Sequence, residues 1–251
     1  MKDSRTMAYV NMHGILGALA DLCNFSPEAK ELATGKPTAI LFAVNDGPSA
    51  LLSFNAGACS FEEGSGPCDI RLPFSSCEKF NGMIDGTVTP FPSKGFTRLK
   101  FLTKNFVGLT KILETYLKAN PDDLSNNNFF DASTTIMFHL IARAVSQIGN
   151  NDKIGRFSAS NIVNGTVVLS IGGGPKAAIT VKDHILTTTR KIPDRYEAIM
   201  EFADMHLARN LFEGKVSTLA CVGTGLITMR GNLSMLDNVN RILDRVAIYL
   251  G

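Results

Sequence analysis

Two acid–histidine neighbours, Asp204-x-His206 and Asp183-His184, come nearest in this sequence to general acid–base chemistry. A carboxylate beside an imidazole can tune it as a proton shuttle, but a reaction also needs a nucleophile or a substrate group held against it. No G-x-S-x-G segment or comparable Ser or Cys nucleophile motif accompanies either pair. Gly172-Gly173-Gly174-Pro175-Lys176 has the glycine content of a phosphate loop but not the G-x-x-x-x-G-K-S/T spacing. The strand-like Ala177-Ala178-Ile179-Thr180 follows it where a phosphate loop needs a helix, and Pro175 removes a backbone donor. The segment therefore reads as a hairpin turn. Five cysteines (Cys23, Cys59, Cys68, Cys77, Cys221) form no C-x-x-C pair, and His13, His139, His184 and His206 do not cluster with them. Structural metal sites use paired, closely spaced soft ligands. The expectation is reduced thiols, core histidines, no metal, no cofactor and no catalytic residue.

Charge excludes a further class. Lys plus Arg number 25 and Asp plus Glu 23, a net charge of +2, which is too balanced for a nucleic-acid binder. One local imbalance stands out. Between Gly86 and Leu113 lie Lys94, Arg98, Lys100, Lys104 and Lys111, with no acid among them. Such a run is either the solvated edge of a strand and helix or a transient membrane contact for anionic headgroups or an acyl-CoA phosphate. Each base near an anionic surface is worth about 1 kcal/mol. Hydrophobic residues make up 45% and charged residues 19% of the 251; the charged share is below the usual ~25%, which excludes a disordered chain. No apolar run approaches the ~20 residues of a membrane span, and nothing near the start reads as a secretory signal. A cytoplasmic location is expected.

The elements that must position these residues occur twice. Thr38-Ala39-Ile40-Leu41-Phe42-Ala43-Val44 and Gly165-Thr166-Val167-Val168-Leu169-Ser170-Ile171 are strand-like runs that enter turns ending in Gly47-Pro48 and Gly174-Pro175. Each resumes as a strand, so the spacing predicts two hairpins. Phe74 and Phe202 then each precede a helical stretch ending at Gly86 or Gly214. Its apolar residues recur at i, i+3, i+7: Cys77, Phe80 and Ile84 in one copy, Met205, Ala208 and Phe212 in the other. Ser75 and Glu78 have capping-box spacing, and Ser26-Pro27 predicts another helix start. Both copies end in an amphipathic helix, with Leu102, Phe106, Leu109, Leu113 and Tyr116 in the first. The second carries Leu236, Val239, Leu243, Val246 and Leu250, widened by Met235, Ile242 and Tyr249. The copies span 5–118 and 130–251, with a polar linker, 119–129, between them.

This order of elements resembles the sterol carrier protein-type lipid-transfer domain. The segments that carry the resemblance best are Asn210-Leu211-Phe212-Glu213-Gly214-Lys215-Val216 and Gly225-Leu226-Ile227-Thr228-Met229-Arg230-Gly231-Asn232. Copy one departs from the pattern: Asp85-Gly86-Thr87 lacks the lysine, and Lys94-Gly95-Phe96-Thr97-Arg98-Leu99-Lys100 lacks the closing glycine. The resemblance covers about 80 residues of each copy. It implies an α+β fold: two tandem sterol-carrier-like domains, each a mainly antiparallel five-stranded sheet with helices packed on one face. It also implies an apolar lipid cavity between sheet and helices, and no catalytic signature.

Such a cavity needs apolar lining more than it needs polar groups, since each buried CH₂ is worth about 0.8 kcal/mol. Periodicity and the resemblance together nominate Phe80, Met83, Ile84, Phe106, Leu109 and Leu113 in copy one. In copy two they nominate Leu211, Phe212, Met229, Met235, Val239 and Leu243. The expected ligand is a hydrophobic small molecule of the fatty-acid, sterol-like or acyl-CoA class. The copies are expected to pack as an intramolecular pseudo-dimer. The alternative is an interaction scaffold whose cavities are filled by side chains.

Overall fold

The two runs that lead into Gly47-Pro48 and Gly174-Pro175 become central strands of two separate sheets. The computed structural model describes residues 2–250. The chain divides into two units, Met1–Phe129 and Phe130–Gly251, and each joins a mixed sheet to helices in an α+β architecture. Among the described residues no helix is long and apolar enough to cross a membrane.

In the first unit α1 (Ser4–Val10) starts at Asp3, whose carboxylate accepts from the Thr6 amide at 2.7 Å. It continues through a π-helical turn (Asn11–Leu16) into α2 (Ala18–Phe25). Ser26 caps α3 (Pro27–Leu32) with proline in its first turn, as the spacing predicts. The strands are β1 (Thr38–Val44), β2 (Ser49–Asn55), β3 (Ala58–Glu63) and β4 (Ile70–Phe74). They lie in the order β3-β2-β1-β4, antiparallel except for β1 beside β4. α4 (Cys77–Ile84) follows; its cap is Ser76 rather than the expected Ser75, and Glu78 instead accepts from the Ser4 hydroxyl. A 3-10 turn (Phe96–Arg98) and a second π turn (Phe101–Phe106) then lead into α5 (Val107–Leu117). Helical residues cover the face bearing Ile40, Phe42, Leu52 and Leu72: Phe106 packs on Phe42 at 5.7 Å and Phe101 on Phe54 at 5.3 Å.

The expected five strands are only four in this unit. Where a fifth would run, Pro90 and Pro92 have no N–H to offer the sheet edge. A single bridge between Arg71 and Lys94 is all that forms, and the stretch expected as the last strand turns helical from Phe96. The expected linker is also more ordered than a polar connector. Asn120 caps a short α6 (Pro121–Leu124) through the Asp123 amide at 2.8 Å, and the long α7 (Asn127–Asn151) begins three residues later.

The second unit continues from α7 through α8 (Lys153–Ser160) to β5 (Gly165–Ile171), β6 (Lys176–Lys182), β7 (Ile185–Thr189) and β8 (Ala198–Phe202). α9 (Met205–Phe212), α10 (Thr218–Gly223), β9 (Ile227–Gly231), α11 (Leu233–Asp244) and α12 (Val246–Leu250) complete it. The sheet order is β7-β6-β5-β8-β9, with β5 parallel to β8 and the other pairs antiparallel. Asn150 straps α7 to β7 by pairing with both the N–H and the C=O of Leu186 at 2.8 Å. The final amphipathic helix breaks at Arg245, and its buried stripe is Met235, Leu236, Val239, Ile242, Val246 and Tyr249. Leu243 and Leu250, expected on that stripe, each follow one of its buried residues, lie at its margin and are only half-buried.

The two units repeat each other in two local contacts. Asp69 accepts from the Ala39 amide at 2.9 Å, and Glu197 accepts from the Thr166 amide, so one carboxylate clasps the start of each central strand. Gly95 and Gly231, at φ 98° and 96°, each close against the residue that carries this carboxylate. A Cβ at either position would collide with the carbonyl oxygen of Asp69 or Glu197. Copy one therefore does possess a closing glycine: it is Gly95, which stands at the start of the expected last strand but occupies the place of Gly231.

Candidate functional site

Elements that copy one lacks create a concave surface in copy two. Between Gly214 and Gly225 the chain makes α10, too short to bury all its apolar residues, before turning into β9. Leu219 is 83% exposed, and Val222 and Leu226 are also exposed. α11 starts at Asn232, whose side chain accepts from the Met235 amide at 3.2 Å, leaving Leu233 in the first turn 66% exposed. Together α10, β9 and α11 enclose an open groove of about 600 Å³. Leu219, Val222, Met229 and Leu233 form its apolar wall, and Ser217, Thr218, Asp237, Asn240 and Asp244 its polar wall.

Helical spacing explains the polar wall. Leu233, Asp237, Asn240 and Asp244 stand at i, i+4, i+7 and i+11, one stripe of α11 opposite its buried face. Asp237 is paired with Arg241 at 3.0 Å. Asp244 has no ion pair among the described residues, and partial burial pushes its carboxyl above the ordinary value. The Asn240 Oδ1 is buried without a hydrogen-bond partner. Nearby bases are already engaged: Arg245 with Asp152, Lys215 with Glu213, and Arg230 with Glu201.

Of the twelve nominated lining residues, Met229 borders this groove. In copy one Phe80 meets Phe74 edge-on at 5.2 Å, Phe106 packs on Phe42, and Leu109 and Leu113 are buried; Met83 and Ile84 are half-buried. In copy two Phe212 lies between Phe138 and Phe202 at 6.4 and 6.2 Å, Leu211 and Leu243 are half-buried, and Met235 and Val239 are buried. Leu219, Val222 and Leu233 escaped sequence reasoning. The available signal was an apolar excess in a short glycine-bounded segment that no periodic stripe could bury.

Other singled-out residues do local work. His13, on the first π turn, meets the Glu63 carboxylate at 2.9 Å through Nδ1, and that hydrogen bond lowers the Glu63 pKa. Burial and the Arg143 charge hold His139 down to about 4. His206 stacks on Phe130 at 4.5 Å. Asp204, its neighbour in sequence, caps α9 through the Leu207 amide. Asp183 and His184 form a tight turn at positive φ between β6 and β7. Lys215 pairs with Glu213, which Arg209 also holds while donating to the Ser133 hydroxyl at 2.7 Å. In the basic run, Lys94 donates to the Cys68 carbonyl, and Arg98 reaches Asp69, Thr38 and the Pro37 carbonyl. Lys100, Lys104 and Lys111 are exposed. Cys23 on α2 and Cys59 on β3 share a hydrogen bond, which with burial raises the Cys59 thiol. Among the described residues no three His, Cys, Asp or Glu gather to hold a metal ion.

No protein-family model matches the chain, and no curated protein matches it.

Proposed function

We propose that this protein is a non-catalytic binder of lipids or other hydrophobic small molecules, built from two sterol-carrier-type units of which the second holds the ligand. The observation that carries this reading is the apolar-walled groove of about 600 Å³ formed by α10, β9 and α11. Its size falls within the ~300–1,000 Å³ of small-molecule sites. Leu219 and Leu233 stand exposed beside it, where an aliphatic ligand would recover the apolar area they leave in water. The shared order of helices, four strands and a helix, with a fifth strand in copy two, supports the family assignment.

A scaffold role is favoured for the first unit by its packing. Phe80, Leu109 and Leu113, nominated as lining, are buried against neighbouring side chains, so copy one reads as a filled counterpart. Native mass spectrometry of the full chain purified from cells, before and after organic extraction, tests the binding reading. The expected result is a bound small-molecule mass that extraction removes, with uptake of a fluorescent apolar probe afterwards. No bound mass together with no uptake overturns it.

A further inference from the structure

We infer that the groove between α10, β9 and α11 selects amphiphiles with a protonated amine head, and disfavours carboxylates and phosphates. This inference rests on the hydrophobe-binding reading above and specifies the chemical class of its ligand. The apolar wall of Leu219, Val222, Met229 and Leu233 would take an aliphatic tail. The charged side chains on the polar wall are both acids, Asp237 and Asp244. Asp237 is neutralised by Arg241 at 3.0 Å, whereas Asp244 has no ion pair among the described residues. The nearby Arg245 is turned away to Asp152, Nε to Oδ1 at 2.6 Å. The groove therefore presents one uncompensated carboxylate.

The dimensions of the groove fit such a ligand. Leu233 and Asp244 are eleven residues apart, which places the ends of the stripe roughly 16 Å apart along the helix axis. A tail along the apolar wall and a head at Asp244 fit that span. An anionic head would meet Asp244 with like charge, and no base among the lining residues offsets it.

The test measures dissociation constants of dodecylammonium, dodecanoate and dodecanol for the delipidated full-length protein at pH 7 and low salt, below their aggregation concentrations. The expected result is that dodecylammonium binds about tenfold tighter than dodecanol and tighter still than dodecanoate, the scale of a charge-assisted hydrogen bond. Asp244→Asn, at an exposed position, should bring dodecylammonium down to the affinity of dodecanol. Leu219→Ser should weaken all three. Equal or tighter dodecanoate binding, or an amine preference that survives Asp244→Asn, overturns the inference while the binding reading stands. Failure of all three probes to bind overturns both.

Discussion

The Tyr249 hydroxyl donates a 2.7 Å hydrogen bond to Asp152 Oδ2 from 97 residues away in sequence, and Arg245 Nη2 reaches the same oxygen at 2.7 Å. The other carboxylate oxygen caps α8 by accepting from the Ile154 and Gly155 amides at 2.9 and 2.8 Å. One buried side chain thus fixes the start of α8, the α11–α12 break and the last helix. Since α11 forms one wall of the groove, this clasp also sets the groove's shape. Tyr249→Phe should cost about 1–2 kcal/mol, the loss of one hydrogen bond to a charged group. Asp152→Ala should cost about 3 kcal/mol or more, because it removes the cap and leaves Arg245 without its partner. Urea unfolding of the full chain checks the ranking; equal effects would mean that the cap and the ion pair contribute little.

Acid should weaken the second unit in two separate windows. His139 is held down to about 4 from 6.5 by burial and by Arg143. Its folded pKa is depressed, so its contribution is complete above about pH 6.5 and is lost as pH falls toward 4. For Asp152, burial alone would raise the pKa, but Arg245, Tyr249 and the Gly155 amide outweigh it and hold the group at about 2, against 3.8. Its contribution is present above about pH 4 and disappears between there and pH 2. The urea midpoint should therefore fall between about pH 6.5 and 4, then further between pH 4 and 2. His139→Gln should flatten the first decline and leave the second.

Gly95 and Gly231 should be intolerant of side chains for the same reason in both units. Each sits at positive φ against the residue that clasps the start of a central strand. Gly231→Ala should cost about 1–3 kcal/mol from backbone strain and the backbone collision. It should also loosen β9 from β8 and weaken ligand uptake in the groove. Gly95→Ala should destabilise the first unit without changing uptake. Thermal unfolding alongside uptake of a fluorescent apolar probe separates the two. Loss of uptake in Gly95→Ala alone would contradict the assignment of binding to copy two.

These glycines also show what the sequence made legible. Hairpins ending in Gly47-Pro48 and Gly174-Pro175, and helices ending near Gly86 and Gly214, were readable because turns and helix ends depend on local chemistry. The missing fifth strand was readable in principle, since Pro90 and Pro92 stand in its path. The parallel pairing of β1 with β4 and of β5 with β8 was not, because no local pattern specifies which strand a crossover brings alongside. The Asp69 and Glu197 clasps escaped for a related reason: each joins residues about thirty apart by one side-chain contact. Periodicity puts Phe80 and Val239 on apolar helix stripes, from which they are nominated as cavity lining; the structure buries both, and an apolar stripe does not say whether a side chain or a ligand lies opposite. The groove needed residues that break the periodic stripe, Leu219 and Leu233 above all.

Thiol chemistry offers a further check on the packing of both units. Cys23, Cys59, Cys77 and Cys221 are buried, while Cys68, in the loop before β4, is only half-buried. Reaction requires a thiolate that the reagent can reach. Burial raises the Cys77 thiol, and the hydrogen bond with Cys23 together with burial raises that of Cys59, so both stay protonated at neutral pH. Brief maleimide treatment of the native chain at pH 7 should add one label, at Cys68, with four more after denaturation. Peptide mass mapping identifies the position. Rapid labelling at Cys59 or Cys23 would mean that α2 separates readily from β3, contrary to the close packing of those two elements.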